Sequence, residues 1–241
     1  MDKKIVFKAR SKTDSLVQAK PFPAVQALPD WWKNATPFEK GPDNPDGKKF
    51  ILRDRVSNSS FKRCTPMFDA ISSGYIIPLW ADVQVTQNFG DIPLITWRTR
   101  NNVFEVHGRG ARDVPPPPGY DNHVFKYCNA WIPQTPKGYS CLITSPYGYQ
   151  DLPFKVIPGI VDTDKSTLEL VFPVWIKSGL EGVVEHGTPL VQIIPFKRDE
   201  WKAEFTAYED GEYYGVIEET NFNKNIVSHY KRNVWSKKIF Q

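Results

Sequence analysis

Short runs of alternating apolar and polar residues dominate the chain from residue 124 to residue 197. The runs are rich in β-branched and aromatic residues, and turns with glycine or proline separate them at short, even intervals. In order, they are VFKYCNAWI, YSCLITS, FKVIPGIVD, TLELVFPVWI, EGVVEHG and PLVQIIPF. Because no helical crossover lies between them, the pattern predicts a β-sandwich or barrel rather than a parallel α/β sheet.

Upstream of these runs the pattern is more mixed. Residues 48–63 alternate enough for one strand, and CTPMFDAISSG predicts a short helix that Thr65 caps and Gly74 ends. YIIPLWADVQV predicts a pair of strands or one kinked strand. ITWRTR and NVFEVHG, on either side of Asn101, predict a hairpin. Its mixed aromatic and basic residues would suit stacking on nucleic acid, although an ordinary hairpin face is the simpler interpretation.

The first 47 residues form a separate segment with six prolines between residues 21 and 45. Each proline fixes φ and restricts the residue before it, so this spacing favours extended chain. The segment also carries large apolar side chains, namely Phe22, Leu28, Trp31, Trp32 and Phe38. Left in water these side chains would be costly, so we expect the segment to dock on the rest of the chain or on a neighbouring subunit.

Residues 198–241 form a C-terminal extension after the β domain at 48–197. Trp201, Phe205 and Tyr208 recur at helical spacing and predict a helix over RDEWKAEFTAYED. The last 21 residues, 221–241, contain five Lys or Arg and no acidic residue, and their apolar residues also recur at helical spacing. They predict a basic amphipathic helix that either packs on its own domain or docks on a partner or polyanion.

Composition narrows the class of protein. The 21 prolines and the aromatic fraction of 14% favour strands joined by rigid turns. The net charge of +4 is mild, so nucleic-acid binding is not expected from charge alone. Three widely spaced cysteines without a CxxC pair and four scattered histidines predict reduced thiols and no metal site. We expect a cytoplasmic or virion-associated protein, since neither a secretory signal nor a membrane-spanning run is visible.

Three segments in order carry a resemblance to a known family: SPYG at 145–148, GIVDTD at 159–164 and GTPLVQII at 187–194. Their order and spacing resemble the second, third and fourth motifs of the dUTPase and dCTP deaminase superfamily. SGYIIPL at 73–79 lies where the first motif is expected. The resemblance implies a dUTPase-like distorted β-barrel or jelly roll, in a homotrimer that exchanges arms between subunits. The whole chain also resembles a family of phage and bacterial proteins, and this second likeness implies no mechanism.

The resemblance assigns roles to a few residues. Asp162 takes the position of the third-motif aspartate, which orients the water that attacks the α-phosphate. Gly148 and Gln192 keep the glycine of the second motif and the glutamine of the fourth, so both are candidates for ligand binding. The GIVDTD segment is equally suited to a plain β-turn, because Asp and Thr bond readily to their own backbone. Gln192 would either bind a ligand or satisfy a backbone group.

Several departures from the family pattern bear on catalysis. Pro146 and Tyr147 stand in place of the arginine and serine that grip phosphate, and proline offers no donor. Lys165 replaces the tyrosine beneath the sugar, and we keep it as a candidate ligand-binding residue. Ile76 stands where the first motif has an aspartate, and no glycine-rich arm follows Gly215. The glutamate and arginine signature of the deaminase branch is missing as well.

These departures favour a non-catalytic structural or interaction protein on a trimeric barrel, for example a building block of a phage or virion. It would contact other structural proteins through residues 1–47 and 221–241, and it would need no cofactor. The alternative is a divergent nucleotide-binding protein or nucleoside triphosphate pyrophosphohydrolase. That enzyme would use Asp162 and Mg²⁺, with Lys137, Lys165 or a partner's basic residue in place of the lost arginine.

Overall fold

A computed structural model of the chain describes residues 4–53, 56–87, 92–108, 113–166, 169–215 and 230–241. The predicted mainly β character is confirmed. The helices are α1 (Lys12–Val17), α2 (Asp30–Asn34) and α3 (Thr65–Ser72). The strands are β1 (Val6–Ala9), β2 (Phe22–Pro23), β3 (Leu52–Arg53), β4 (Val56–Ser57), β5 (Tyr75–Pro78), β6 (Val83–Thr86), β7 (Leu94–Trp97), β8 (Phe104–Val106), β9 (Tyr120–Cys128), β10 (Trp131–Gln134), β11 (Tyr139–Thr144), β12 (Phe154–Val156), β13 (Gly159–Val161), β14 (Val171–Lys177), β15 (Gly182–Val184) and β16 (Pro189–Lys197).

The strands form several antiparallel sheets. The largest has five strands in the order β13-β11-β16-β5-β2, and a four-stranded sheet has the order β12-β14-β9-β8. A three-stranded sheet runs β15-β6-β7, and two further pairs join β1 to β10 and β3 to β4. The described strands do not close into the expected barrel. The edge strands of the largest sheet, β13 and β2, have three and two residues, and β2 contains Pro23, so neither edge can extend the ladder far.

The three larger sheets share one hydrophobic core. Strands of all three sheets contribute buried residues to it, and β6 and β12 show the alternation of buried and partly exposed residues that a half-buried pleated sheet requires. Tyr127, Phe154 and Phe172 are the largest of its fully buried side chains. The Phe104 ring lies 4.7 Å from the Phe154 ring and 5.4 Å from the Tyr127 ring, centroid to centroid. The hydroxyl of Tyr127 donates to the carbonyl of Pro78 at 2.6 Å, so the one polar atom of this aromatic cluster is satisfied.

Contacts divide the chain into two compact units. One unit comprises residues 1–27, 72–198 and 240–241, and the other comprises 28–71 and 199–239. These limits differ from those of the three segments predicted above. In the first unit, β1 of the N-terminal segment pairs along its whole length with β10. In the second unit, Trp32 is buried and stacks on Phe68 at a centroid distance of 6.0 Å.

Two predictions about strand pairing are wrong. β7 and β8 do not form a hairpin about Asn101, because β7 pairs with β6 and β8 pairs with β9. Both pairings bury apolar side chains in the common core, such as Ile95 opposite Val85, which a local hairpin would not do. Residues 48–63 do not form one strand either. The described part contains the short β3–β4 pair and a 3₁₀ turn that the Ser60 side chain caps.

The predicted helix over residues 198–210 is also wrong. Residues 198–209 form neither helix nor strand, and Trp201 and Phe205 are 90% and 96% exposed. A helix of this length is marginal in water unless its apolar face packs on another surface. Much of the predicted basic helix at 221–241 lies outside the described residues. Its described part forms one π-helical turn at Tyr230–Val234, and residues 235–241 are irregular.

The end of the chain is held by specific contacts. The indole nitrogen of Trp235 donates to a carboxylate oxygen of Asp69 at 2.9 Å, and Lys238 pairs with the same carboxylate at 2.7 Å. The Tyr75 hydroxyl donates to the carbonyl of Gln241 at 3.1 Å. Among the described residues, no helix combines the length and apolar character that crossing a bilayer requires.

Gly74 allows the chain to turn from α3 into β5 against the backbone of β16. Its φ is +74°, a conformation that favours glycine. A Cβ atom at this position would lie 2.0 Å from the carbonyl oxygen of Ile193. The carbonyl of Gly74 also accepts a hydrogen bond from the amide of Ala24 at 2.9 Å. The close approach therefore holds β2 and β16 against β5.

We expect Gly74→Ala to destabilise the fold more than a glycine substitution that introduces backbone strain alone. Gly187 is the matched control, because its φ is +83° and nothing lies within 4 Å of the place that a Cβ atom would take there. Left-handed backbone costs an alanine about 1–2 kcal/mol, and the clash at Gly74 should add at least about 1 kcal/mol. Urea denaturation of both variants measures the difference. Equal losses would show that the contact with Ile193 relaxes without cost.

Candidate functional site

Three neighbouring strands bring a cluster of charged and polar side chains to one end of the five-stranded sheet. Asp162 and Asp164 lie in the turn that follows β13, and this turn is closed by the amide of Lys165 bonding to the carbonyl of Asp162. Ser140 is the second residue of β11, which pairs with β13. Arg198 directly follows β16, and its amide donates to the carbonyl of Gly138 at 2.9 Å. The sheet order β13-β11-β16 therefore determines which side chains meet.

Arg198 and Asp164 form the strongest contact of the cluster. The two guanidinium nitrogens Nη1 and Nη2 lie 2.8 and 2.5 Å from Oδ1 and Oδ2 of Asp164, a bidentate arrangement. The amide of Gly138 donates a further hydrogen bond to Oδ2 at 2.8 Å. Only 2% of the Asp164 side chain is exposed. The hydrogen bonds from Arg198, with that from Gly138, hold the pKa of Asp164 well below its usual range.

Asp162 is more open than Asp164. Its side chain is 46% exposed and accepts a hydrogen bond from the Ser140 hydroxyl at 2.7 Å. Nη1 of Arg198 lies 3.2 Å from the same oxygen, and Nζ of Lys165 lies 3.4 Å from the other. The Ser140 hydroxyl, followed by the charge of Arg198, lowers the pKa of Asp162. Both carboxylates are therefore ionised at neutral pH.

These contacts limit what the cluster can do chemically. A general base works best when its pKa is near the working pH, whereas both carboxylates have lowered pKa values. Arg198 is also engaged, because its Nη1 donates to the Tyr139 carbonyl at 3.0 Å and to Ser140 Oγ at 2.8 Å. Within the described part of the chain, no group of three or more His, Cys, Asp or Glu side chains is placed to hold a metal ion. The arrangement is that of a structural ion pair network.

Gln192 and Gly148 lie at the other end of the same sheet. Gln192 is fully buried, its Oε1 accepts from the amide of Tyr147 at 2.8 Å, and its Nε2 donates to the carbonyl of Ser73 at 2.7 Å. Gly148 has a φ of +82° in the turn beside Tyr147. Gln192 thus joins the second-motif turn to the residue before Gly74, which is a structural role.

The candidate residues therefore fall into two groups within one chain. The turn that contains Gly148 meets Gln192 at the end of β11 near Thr144, through the amide of Tyr147, and Asp162 and Lys165 meet near Ser140. Four residues of strand separate these ends, roughly 13 Å at 3.3 Å per residue. Pro146, which the resemblance places at the position of a phosphate-binding arginine, is buried, and the neighbouring Tyr147 is exposed.

Sequence reasoning missed Arg198, Ser140 and Asp164. The strand pattern ends at Lys197 and so places Arg198 in the C-terminal extension. Its partners lie 34 and 58 residues away in sequence, at Asp164 and Ser140. A basic residue stands directly after the strand pattern, and this is the one local feature that could have suggested an ion pair at the end of β16.

Comparison of the chain with protein-family models, curated protein sequences and solved structures finds no match. The function is therefore inferred from the geometry and chemistry of the chain itself.

The Gln192→Met substitution tests whether this side chain has a structural role. It preserves the approximate volume and leaves the amide of Tyr147 and the carbonyl of Ser73 without their partner. A buried group that loses its hydrogen bond costs about 1–3 kcal/mol, so we expect a loss of about 2–4 kcal/mol in urea denaturation. Gln84→Met on β6 is the control, since Gln84 is only half-buried and bonds within its own strand. Unchanged stability in Gln192→Met would contradict the structural role.

The Arg198 network predicts a particular acid dependence of stability. Because folding lowers the pKa of Asp164 below the unfolded value of about 3.9, its contribution is present above that pH and is lost as pH falls further. We expect the melting temperature of the wild type to fall between about pH 5 and pH 2. Asp164→Asn should melt lower at neutral pH and should show a shallower decline in acid.

Asp30→Asn is the matched control for the acid experiment. Asp30 forms an exposed pair with Lys33 at 3.1 Å, and such pairs contribute little to stability. Its melting profile should follow that of the wild type. A profile of Asp164→Asn that is as steep as the wild type's would show that other carboxylates control the acid transition.

Proposed function

We propose that the protein is a non-catalytic structural or interaction protein that assembles with copies of itself, as a trimer of dUTPase-like domains. A building block of a phage or virion is one setting that suits this role. The observation that carries the proposal is the run of exposed aromatic side chains after β16. Within this run Trp201 and Phe205 are almost fully exposed, and Tyr214 is 72% exposed.

The energetic argument favours association. A tryptophan and a phenylalanine each bury about 150–250 Å² when covered, which at about 25 cal/mol per Å² gives roughly 8–12 kcal/mol for the pair before ordering costs. Large exposed apolar patches on globular proteins commonly mark sites of interaction. Burial of Trp201 and Phe205 therefore offers a strong driving force for contact with a further molecule.

The state of the candidate catalytic residues supports the same proposal. The fourth-motif glutamine, Gln192, is bonded on both sides to backbone. Arg198, the guanidinium nearest to Asp162, is bonded to Asp164 and to Ser140. Binding a triphosphate here would require breaking these internal contacts, and hydrogen bonds between charged groups are stronger than those between neutral groups.

One observation favours the alternative, a divergent nucleotide-binding protein or nucleoside triphosphate pyrophosphohydrolase that uses Mg²⁺. Asp162 is about half exposed, and the 70% exposed Lys165 lies beside it. A carboxylate and a cation that both reach solvent could contact Mg²⁺ and a phosphate oxygen. We keep this as the second candidate.

Light scattering after size exclusion tests the proposed assembly. We expect the wild type to elute with the mass of three chains, and Trp201→Ala with Phe205→Ala to dissociate at concentrations where the wild type stays assembled. Phe61→Ala is the control, since Phe61 is a 73% exposed aromatic residue outside the run of aromatic side chains after β16. Phe61→Ala should melt like the wild type, and the double variant should melt lower only by the stability that the lost association contributed, because Trp201 and Phe205 are almost fully exposed among the described residues.

A wild type that stays monomeric at every concentration would contradict the proposal. A melting temperature raised by a nucleotide with Mg²⁺, and not raised in Asp162→Ala, would favour the alternative instead. At 100 times its Kd a nucleotide would add about 2.7 kcal/mol to the free energy of unfolding, which is readily measured.

A further inference from the structure

A groove of about 850 Å³ runs along the three-stranded sheet of the first unit. Its walls are formed by β6, by β7 with residues 98–101, and by Val183 of β15 with His186 in the turn that follows. The side chains that matter here are Trp80, Asp82, Trp97, Arg98, Arg100 and His186. The volume is enough for several side chains of an extended peptide.

The base of the groove is aromatic and rigid. Trp80 is 7% exposed, and its indole nitrogen donates to the carbonyl of Cys128 at 2.8 Å, which fixes the ring. Trp97 is half-buried and packs against the hydrophobic core. An apolar side chain entering the groove would therefore meet a preformed surface, and little ordering of the receptor would be needed.

The rim of the groove is basic. Arg98 and Arg100 are exposed, and neither has an ion-pair or hydrogen-bond partner among the described residues. The carboxylate that also lines the groove, Asp82, accepts a hydrogen bond from the amide of His186 at 2.7 Å. The two arginines thus offer guanidinium groups suited to carboxylates or phosphates.

The segment that follows β16 has the complementary chemistry. Between residues 199 and 214 it carries six acidic residues and a single lysine, Lys202. Its acids alternate with aromatic residues in the order Glu200, Trp201, Glu204 and Phe205. Trp201 and Phe205 are not covered by the part of the chain that the structure describes, so a second molecule could bury them.

We infer that the segment 200–208 of one copy docks into the groove of a second copy. Glu200 and Glu204 pair with Arg98 and Arg100, and the neighbouring aromatic side chains lie on the tryptophan base. This inference rests on the proposed self-association and names the surface that receives the exposed segment. Opposite charges also steer the two surfaces together, which would accelerate assembly at low salt.

Charge reversal and its compensation test the pairing in the full-length chain. Arg98→Glu with Arg100→Glu, and separately Glu200→Lys with Glu204→Lys, should each weaken self-association about tenfold or more in sedimentation velocity. The four substitutions in one chain should restore association to within about threefold of the wild type. Raising the salt concentration should weaken the wild type, because exposed charges are screened.

The control reverses two exposed charges outside the groove, Lys8→Glu and Lys137→Glu, and should leave the association constant unchanged. A direct measurement uses a fluorescent peptide of residues 199–214. Its receptor is the full chain carrying Trp201→Ala and Phe205→Ala, so that its own segment competes poorly. The peptide should bind, and adding Arg98→Glu and Arg100→Glu should abolish binding.

The outcomes separate this inference from the proposed function. If both charge-reversed variants associate as strongly as the wild type, the segment does not dock in the groove, although self-association itself is retained. A strictly monomeric wild type overturns both. If the chain with all four substitutions does not regain association, Glu200 and Glu204 do not pair with Arg98 and Arg100. An oligothymidylate 12-mer that binds through Arg98 and Arg100 and displaces the peptide would assign the groove to single-stranded nucleic acid instead.

Discussion

The pairing of β11 with β16 is the constraint on which the rest of the first unit depends. Six residue pairs join these strands at the centre of the five-stranded sheet. Their inward residues Cys141, Ile143 and Ile193 are buried, so a slip of one residue would turn them all to the opposite face. The two ends of the pair are closed by polar groups, the Arg198 ion pairs at one end and the Gln192 hydrogen bonds at the other.

This arrangement gives Asp164 and Gln192 structural roles at the two ends of the strand pair. A buried carboxylate needs a cation and hydrogen bonds, and Asp164 receives both from Arg198 and Gly138. A buried amide needs two partners, and Gln192 finds them in two separate loops. Both residues hold loops onto the ends of the strand pair. Function depends on the site and not on the fold that carries it.

The sequence predicted the strands from residue 124 to residue 197 well, because alternation and turn residues are local properties. Strand partners were predicted less well. Alternation cannot show that β7 pairs backwards with β6, or that Phe104 belongs against Tyr127 on β9. Arg198 was missed for the same reason, since its meaning lies in Asp164 and Ser140, far along the chain. The helical spacing of Trp201 and Phe205 predicted a helix that does not form, because a short helix needs a surface on which its apolar face can pack.

Trp201 and Phe205 are regularly spaced and almost fully exposed among the described residues, and segments of this kind commonly become ordered on binding. The acidic residues between them favour a positively charged surface as the proposed partner. Arg98 and Arg100 lack partners among the described residues, above an aromatic base. The charges near β11 are paired with one another, whereas Arg98 and Arg100 on the rim of the groove have no such partners among the described residues, and the proposed self-association draws on the charges that are not paired internally.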